Sequence, residues 1–239
     1  MKKEIKQQIK QIIHHFPLLE KFIRLIRGHT KIKDSISIRK IKGKNNNIQI
    51  DKSAILLNCT FDIVGNDNQI EIQASCIINN LTFYIRGNKN KIKIGKKVEF
   101  LKGGSIWIED FECEANIGDY TSFVNVHIAV TEPRSKICIG KDCMFAYDIE
   151  IRSGDSHSII NAQTLKRINY AQNIEIGNHV WVASHVSILK GVKISDNSVI
   201  ATGAVVTKSF ENENILIGGT PAKKIKENIN WNRKREYQK

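Results

Sequence analysis

The chain has 239 residues, 41% of them apolar, and a formal net charge of +13. That is enough to bury a core, and no apolar run approaches the ~20 residues of a membrane-spanning helix. The charge is segregated: residues 1–44 hold 13 Lys/Arg against 3 Asp/Glu, residues 219–239 hold 7 against 2, and the body between them is near neutral. No aromatic-rich basic stripe accompanies the basic ends. This argues against a nucleic-acid partner and leaves a membrane surface, an anionic polymer or a phosphorylated small molecule. The five cysteines include no CxxC pair, so they read as reduced core residues rather than a disulfide framework or a zinc knuckle.

The N-terminus, MKKEIKQQIKQIIHHF, alternates charge with Ile and lacks the unbroken apolar stretch of a secretory signal. It predicts an intracellular, cytoplasmic protein. Residues 1–36 read as an amphipathic helical segment. Ile5, Ile9, Ile12 and Ile13 share one helical face, Leu18, Leu19, Phe22, Ile23 and Ile26 another, with Pro17 between them as a hinge. Such a segment packs on the main domain or on a neighbouring subunit; the alternative is peripheral contact with the inner face of an anionic membrane.

A repeat then takes over. Gly43-Lys-Asn-Asn46, Gly65-Asn-Asp-Asn68 and Gly87-Asn-Lys-Asn90 recur 22 residues apart, each leading into an x-Ile-x-Ile strand. Gly and Asn both tolerate positive φ, so each motif is expected to make a tight corner before a half-buried strand. Further on, Ile176, Val182, Ile188, Ile194, Ile200 and Val206 fall every six residues, with Val180, Val186, Val192, Ser198 and Ala204 in the fifth places between. Six residues per face and three faces make a stacked solenoid coil. Weaker hexads run through Ile117/Phe123/Ala129 and Ile139/Phe145/Ile151. The solenoid is expected over residues 37–218, with a basic C-terminal tail over 219–239.

RSGDSHSII (152–160) interrupts the hexads and opens a stretch, Asn161 to Asn173, that should protrude from the solenoid and wall off a cleft. His157 lies in this turn. Its ordinary pKa near 6.5 leaves a neutral imidazole able to take a hydroxyl proton; alone, it is equally a turn histidine satisfied by neighbouring serines.

The hexads followed by Gly219-Thr-Pro-Ala-Lys223 resemble the hexapeptide-repeat acyltransferases, which fold as left-handed parallel β-helices. Within that family HIAVTEPRSKICIGKDCMF (127–145), IRSGDSHSI (151–159), KRIN (166–169), IGNHVWVASHVSILKGVKI (176–194) and GGTPAKKIKENINW (218–231) are most similar to bacterial capsule and O-antigen polysaccharide O-acetyltransferases. The resemblance covers roughly residues 115–231. It implies acetyl transfer from acetyl-CoA to a sugar hydroxyl, no metal, and a homotrimer with the site between subunits.

His157 matches the family's catalytic base. Asp155 is a candidate for fixing the imidazole tautomer or for binding sugar, and is otherwise an Asx-turn residue. Arg152 either meets an acidic sugar or solvates the strand. Related sugar acetyltransferases carry a substrate-contacting Asn near His127, with Asn125 as the rival position; the hexad from Phe123 puts His127 in an inward place, which favours a buried side chain. The resemblance assigns Trp181 to the acetyl-CoA or acceptor cleft. It places Ser184, Ala201, Thr202, Gly203 and Gly219 along the pantetheine path, and Lys208, Lys223 and Lys224 at the phosphates. Ala183 and Ser195 stand where the family often has Gly, and His185 has no assigned role.

Acetylation of an amino sugar or of serine fits the same scaffold, and a structural solenoid without activity is the non-enzymatic alternative. A γ-type carbonic anhydrase would need three zinc-spaced histidines, which His127, His157, His179 and His185 do not supply.

Overall fold

The computed structural model describes residues 37–237; the expected N-terminal helices lie outside the described residues. Short strands stack in three sheets of eight, seven and nine strands. As far as Val205–Val206, successive strands of the chain enter the three sheets in turn, so each coil pairs only with the coils before and after it, in parallel. The x-Ile-x-Ile alternation becomes a ladder on the seven-stranded sheet: Ile50, Ile72, Ile94, Ile117, Ile139, Ile176 and Ile194 stand in register. Phenylalanines fill two other inner faces. Phe61 stacks on Phe83 at 4.6 Å, and Phe100, Phe123 and Phe145 stack at 4.5 and 4.7 Å, all fully buried. Every residue of the hexad run from Ile176 to Val206 points inward, and the fifth-place residues between them are buried as well.

The G-x-x-N corners divide their labour in a way the sequence did not separate. Glycine answers for close approach: a Cβ on Gly65 would lie 1.8 Å from the Gly87 carbonyl oxygen. The positive φ falls on the glycine and on the third residue, Asn45, Asp67 and Lys89. The closing asparagine builds a ladder instead. Asn68 Nδ2 donates to Asn46 Oδ1 (2.9 Å), Asn68 Oδ1 accepts from the Asn90 N–H (3.0 Å), and Asn90 Oδ1 accepts from the Cys113 N–H (2.9 Å).

The hexad placement through Ala129 was one residue out. Val126–Val130 is a five-residue strand rather than a two-residue hexad strand, so period-2 alternation decides which residues face in. Val126, Ile128 and Val130 are core, and His127 points outward and is half-buried. At the C-terminus the basic segment folds back. Leu216–Gly218 caps the nine-stranded sheet, and Lys223–Lys226 returns antiparallel beside it. Among the described residues no helix is long and apolar enough to cross a membrane.

Candidate active site

Strand Ile149–Arg152 ends the regular part of its coil. Ile149 and Ile151 face the core, while Arg152 points outward and its Nε donates to Glu150 Oε1 at 2.8 Å. The next two residues seat the turn on the preceding coil. Ser153 is buried, and its Oγ accepts the Thr131 N–H at 3.0 Å. Gly154 passes over Thr131 so closely that a Cβ would sit 2.6 Å from Thr131 Oγ1. Asp155, Ser156 and His157 then emerge into solvent.

The turn is held from below by Asn169, which is only 7% exposed. Its Nδ2 donates to Asp155 Oδ2 and to the His157 carbonyl, both at 2.8 Å. Its Oδ1 accepts from the Ile159 N–H (2.7 Å) and from Arg167 Nε (3.2 Å). Arg167 in turn forks onto Glu132 of the preceding coil, Nη1 to Oε2 at 3.1 Å and Nη2 to Oε1. On the other side Lys190, from a later coil, pairs with Asp155 and donates to the Asn169 carbonyl at 3.2 Å. Partial burial acts to raise the Asp155 carboxyl, but the hydrogen bonds from Lys190 and Asn169 and the charges of Lys190 and Arg152 outweigh it. The group is held below the ordinary carboxylate range.

This arrangement redefines Asp155. Its carboxylate is engaged by Lys190 and Asn169, and the turn is closed by the His157 N–H on the Asp155 backbone carbonyl at 2.8 Å. Among the described residues the His157 imidazole takes no hydrogen bond, so its place is set through the backbone. Lys190, Asn169, Arg167 and Glu132 were not singled out from the sequence. Arg167 and Asn169 do lie in the KRIN stretch, which was the available signal; Lys190 and Glu132 carried none.

The protrusion expected over Asn161–Asn173 is shifted a few residues earlier: residues 158–170 make a short hairpin bridged at Ile160 and Arg167, and Gln172 and Asn173 already bond back to the solenoid. Asn161 Oδ1 caps its tip by accepting the N–H groups of Gln163 (3.0 Å) and Thr164 (2.8 Å). Ile159, Ile160, Leu165, Ile168 and Tyr170 are all solvent-exposed along it, Leu165 at 77%.

The other candidates divide among the faces. His127 stands outward on the eight-stranded sheet, beside Glu150 in register, with Nδ1 hydrogen-bonded to Ser105 Oγ and the ring edge-on to Trp107. Asn125 sits at the corner before that strand, its backbone tied to Ala146 and Ile149. Trp181 points outward from the nine-stranded sheet, in register with Met144 and Val199. Thus one chain places Trp181 and the His157 turn on different faces. Ser184, Gly203 and Thr220 stack at one corner: the Gly203 N–H donates to the Ser184 carbonyl (3.0 Å) and Thr220 Oγ1 to the Gly203 carbonyl (3.3 Å). Thr202, Gly203 and Gly219 are exposed there and Ala201 is half-buried. Nothing lies within 4 Å of where a Gly203 Cβ would be. Lys208 lies over the Phe210 ring, and Lys223 and Lys224 are on the exposed returning strand, Lys224 paired with Glu227. His185 is tied to Asp148 at 2.8 Å, and His179 to Asp142 at 2.7 Å.

A parallel β-solenoid with hexad-spaced inward residues and a clamped histidine turn at the one long break among the described residues defines a class, and comparison with known proteins agrees. The family described as "Bacterial transferase hexapeptide (six repeats)" matches residues 173–208. A crystal structure of the polysialic acid O-acetyltransferase OatWY is 36% identical, with a TM-score of 0.80 over 86% of this chain and 95% of that one. A structure of the polysialic acid-specific acetyltransferase NeuO is 29% identical, with a TM-score of 0.64 over 84% of this chain and 85% of that one. Among curated proteins, a polysialic acid O-acetyltransferase of Neisseria meningitidis is 38% identical over 123 residues, which are 52% of this chain and 57% of that protein. A polysialic acid O-acetyltransferase of Escherichia coli is 38% identical over 104 residues, 44% of this chain and 34% of that protein. The chain thus spans about a third to just over half the length of these curated relatives. It belongs to the bacterial hexapeptide-repeat transferases.

Proposed function

We propose that the chain is an acetyl-CoA-dependent O-acetyltransferase whose acceptor is a sugar hydroxyl of a bacterial surface polysaccharide or its precursor, with His157 as general base. The observation that carries the reading is the turn itself: His157 is solvent-facing, at the break of a rigid solenoid, on a backbone held by Asn169 and Ser153. A transferase of this kind needs a positioned base more than it needs a covalent nucleophile, and a positioned base is worth roughly 10²–10⁴ in rate. The similarity to polysialic acid O-acetyltransferases supports an acidic polysaccharide acceptor.

In this reading the neutral His157 imidazole takes the acceptor hydroxyl proton as the oxygen attacks the thioester carbonyl. The tetrahedral oxyanion collapses, the carbon–sulfur bond breaks, and the imidazolium returns the proton to the departing thiolate. Backbone N–H groups are the donors suited to the oxyanion, each worth about 3 kcal/mol in such sites. The exposed corner Ala201-Thr202-Gly203, open above Gly203, suits a pantetheine chain lying against backbone. Lys208, Lys223 and Lys224 suit its phosphates. Asp155 fits a positioning role through Lys190 better than a tautomer-fixing one.

The site is assigned to the junction of two subunits of a homotrimer. Trp181 and His157 lie on different faces of one chain, and the protruding hairpin exposes Ile159, Ile160, Leu165, Ile168 and Tyr170. A patch of that kind marks a surface to be covered, and a neighbour's nine-stranded sheet would bring Trp181 to His157.

The test is acetyl-CoA consumption against polysialic acid, simple galactosides and amino sugars, for the native chain and His157→Ala. Loss of roughly 10²–10⁴ in rate is expected for the variant. Transfer by His157→Ala near the native rate overturns the assignment of the base, and acetylation of amino groups alone overturns the acceptor class.

A further inference from the structure

The C-terminal residues beyond the returning strand are fastened to the nine-stranded sheet in a way their charge does not explain. Trp231 is 9% exposed although it lies outside the solenoid core. Its indole stacks on the His179 ring at 4.2 Å and 11°, its Nε1–H donates to the His179 carbonyl at 2.8 Å, and its own carbonyl faces His179 Nε2 at 3.2 Å. The same indole lies 6.2 Å from Trp181.

Two residues on, Arg233 spreads across two earlier coils. Its Nε reaches Asp142 Oδ1 at 3.0 Å, Nη1 reaches Ser122 Oγ at 2.8 Å, and Nη2 donates to the carbonyls of Tyr120 (3.2 Å) and Cys143 (2.8 Å). Its guanidinium also lies 5.7 Å over the Trp231 ring. Glu99, one coil further along the same outward column as Ser122, Met144 and Trp181, feels the same cation. Burial pushes its carboxyl up and the Arg233 charge opposes that. All five donors of a guanidinium can be used in such a fork, and four of the Arg233 bonds are to different residues. This is a built joint rather than a surface tail in passing contact.

We propose that residues 227–237 are a strap that fixes the Trp181 indole as one wall of the donor cleft, with Trp231 and Arg233 as positioning residues. The inference rests on the acetyl-CoA reading above. On its own sheet Trp181 stands in register with Met144 and Val199, neither of which offers a flat ring to pack against. Without Trp231 the large ring would be free to change rotamer; with it, the indole has a neighbour on its open side. Arg233 holds the strap down where Trp231 alone would leave one end free to lift.

The strap is tested on the full chain with CoA itself as the probe. Binding is measured by calorimetry for the native protein, Trp231→Ala, Trp231→Phe and Arg233→Met, with near-ultraviolet circular dichroism following the Trp181–Trp231 pair. Trp231→Ala is expected to weaken CoA binding about tenfold and to remove the paired-indole signal, while leaving the thermal unfolding of the solenoid in place. Phenylalanine, which keeps the stack on His179, should restore most of the binding, and Arg233→Met should fall between. If native protein binds CoA and Trp231→Ala binds it within twofold of native, the strap has no positioning role and the inference falls. Equal weakening by Trp231→Phe and Trp231→Ala also overturns it, since the ring stack would then not be what matters. If the native protein binds no CoA at all, the donor assignment falls first, and the strap's role in a donor cleft falls with it.

Discussion

Replacing Asn169 with Ala is the sharpest probe of the His157 turn and of the base role proposed for it. The side chain makes four hydrogen bonds, two of them neutral (His157 carbonyl, Ile159 N–H) and two to charged groups (Asp155, Arg167). Neutral bonds contribute about 1 kcal/mol each and charge-assisted ones about 1.5–3. Asp155 is exposed and Arg167 half-buried, so water recovers part of the loss, and about 2–4 kcal/mol of local stability is expected to go. None of this touches the stacked core, so the hairpin opens before the solenoid does. Amide hydrogen exchange over residues 155–168 should speed up by roughly 30- to 700-fold, with the cooperative melt of the coils little moved. Acetyl transfer should fall by about 10²-fold, the cost of misplacing a base by about 1 Å. Asn169→Asp provides a second arm: it keeps the acceptor for Ile159 and Arg167, loses the donor to His157, and sets a carboxylate against Asp155. Activity within threefold of native for the alanine variant, or unchanged exchange in the hairpin, would refute the claim that Asn169 holds His157 in place.

The asparagine ladder is expected to carry stability. Asn90→Ala leaves the buried Cys113 N–H without its partner, while the Asp110 carbonyl, on an exposed residue, can turn to water, costing about 1–3 kcal/mol by denaturant titration. Asp155 sets an acid limit on the turn. Its folded value lies below the usual ~3.9, so its stabilisation is present above that value and is lost as pH falls through the folded one. Exchange protection of residues 155–168 should therefore drop below about pH 4, and Asp155→Asn should abolish that pH dependence while lowering protection at neutral pH. Burial pushes the Cys76 and Cys143 thiols up to about 11, and raises Cys59 and Cys113. A thiol reagent at pH 8 should label only half-buried Cys138 in the native protein and all five cysteines after denaturation.

How much of this was legible in advance differs by element. The inward positions from Ile176 to Val206 could be read one by one, because each hexad turns one corner and sets one aliphatic residue inward on the next face, and the same face returns eighteen residues later. His127 was misjudged where that rule lapses: a five-residue strand alternates with period two, and counting from Phe123 carried the wrong phase across the corner at Asn125. The glycine–asparagine corners were recognised as corners, yet their ladder was not, since it depends on which atom of one coil lies under which atom of the next.

A stacked solenoid repeats one local environment many times, so its period, its three faces, its inward aliphatic positions and the place where the rhythm breaks are all written in spacing along the chain. The sequence alone therefore determined that His157 stands at an interruption and, with Val180 and Val182 in the inward hexad places on either side of it, that Trp181 faces outward. What holds those two side chains has no spacing to read. Lys190 meets Asp155 from 35 residues away, Trp231 meets His179 from 52, and Arg233 meets Asp142 from 91. Such contacts follow from where an excursion and a returning strand happen to land on a finished surface, and only the folded chain decides that.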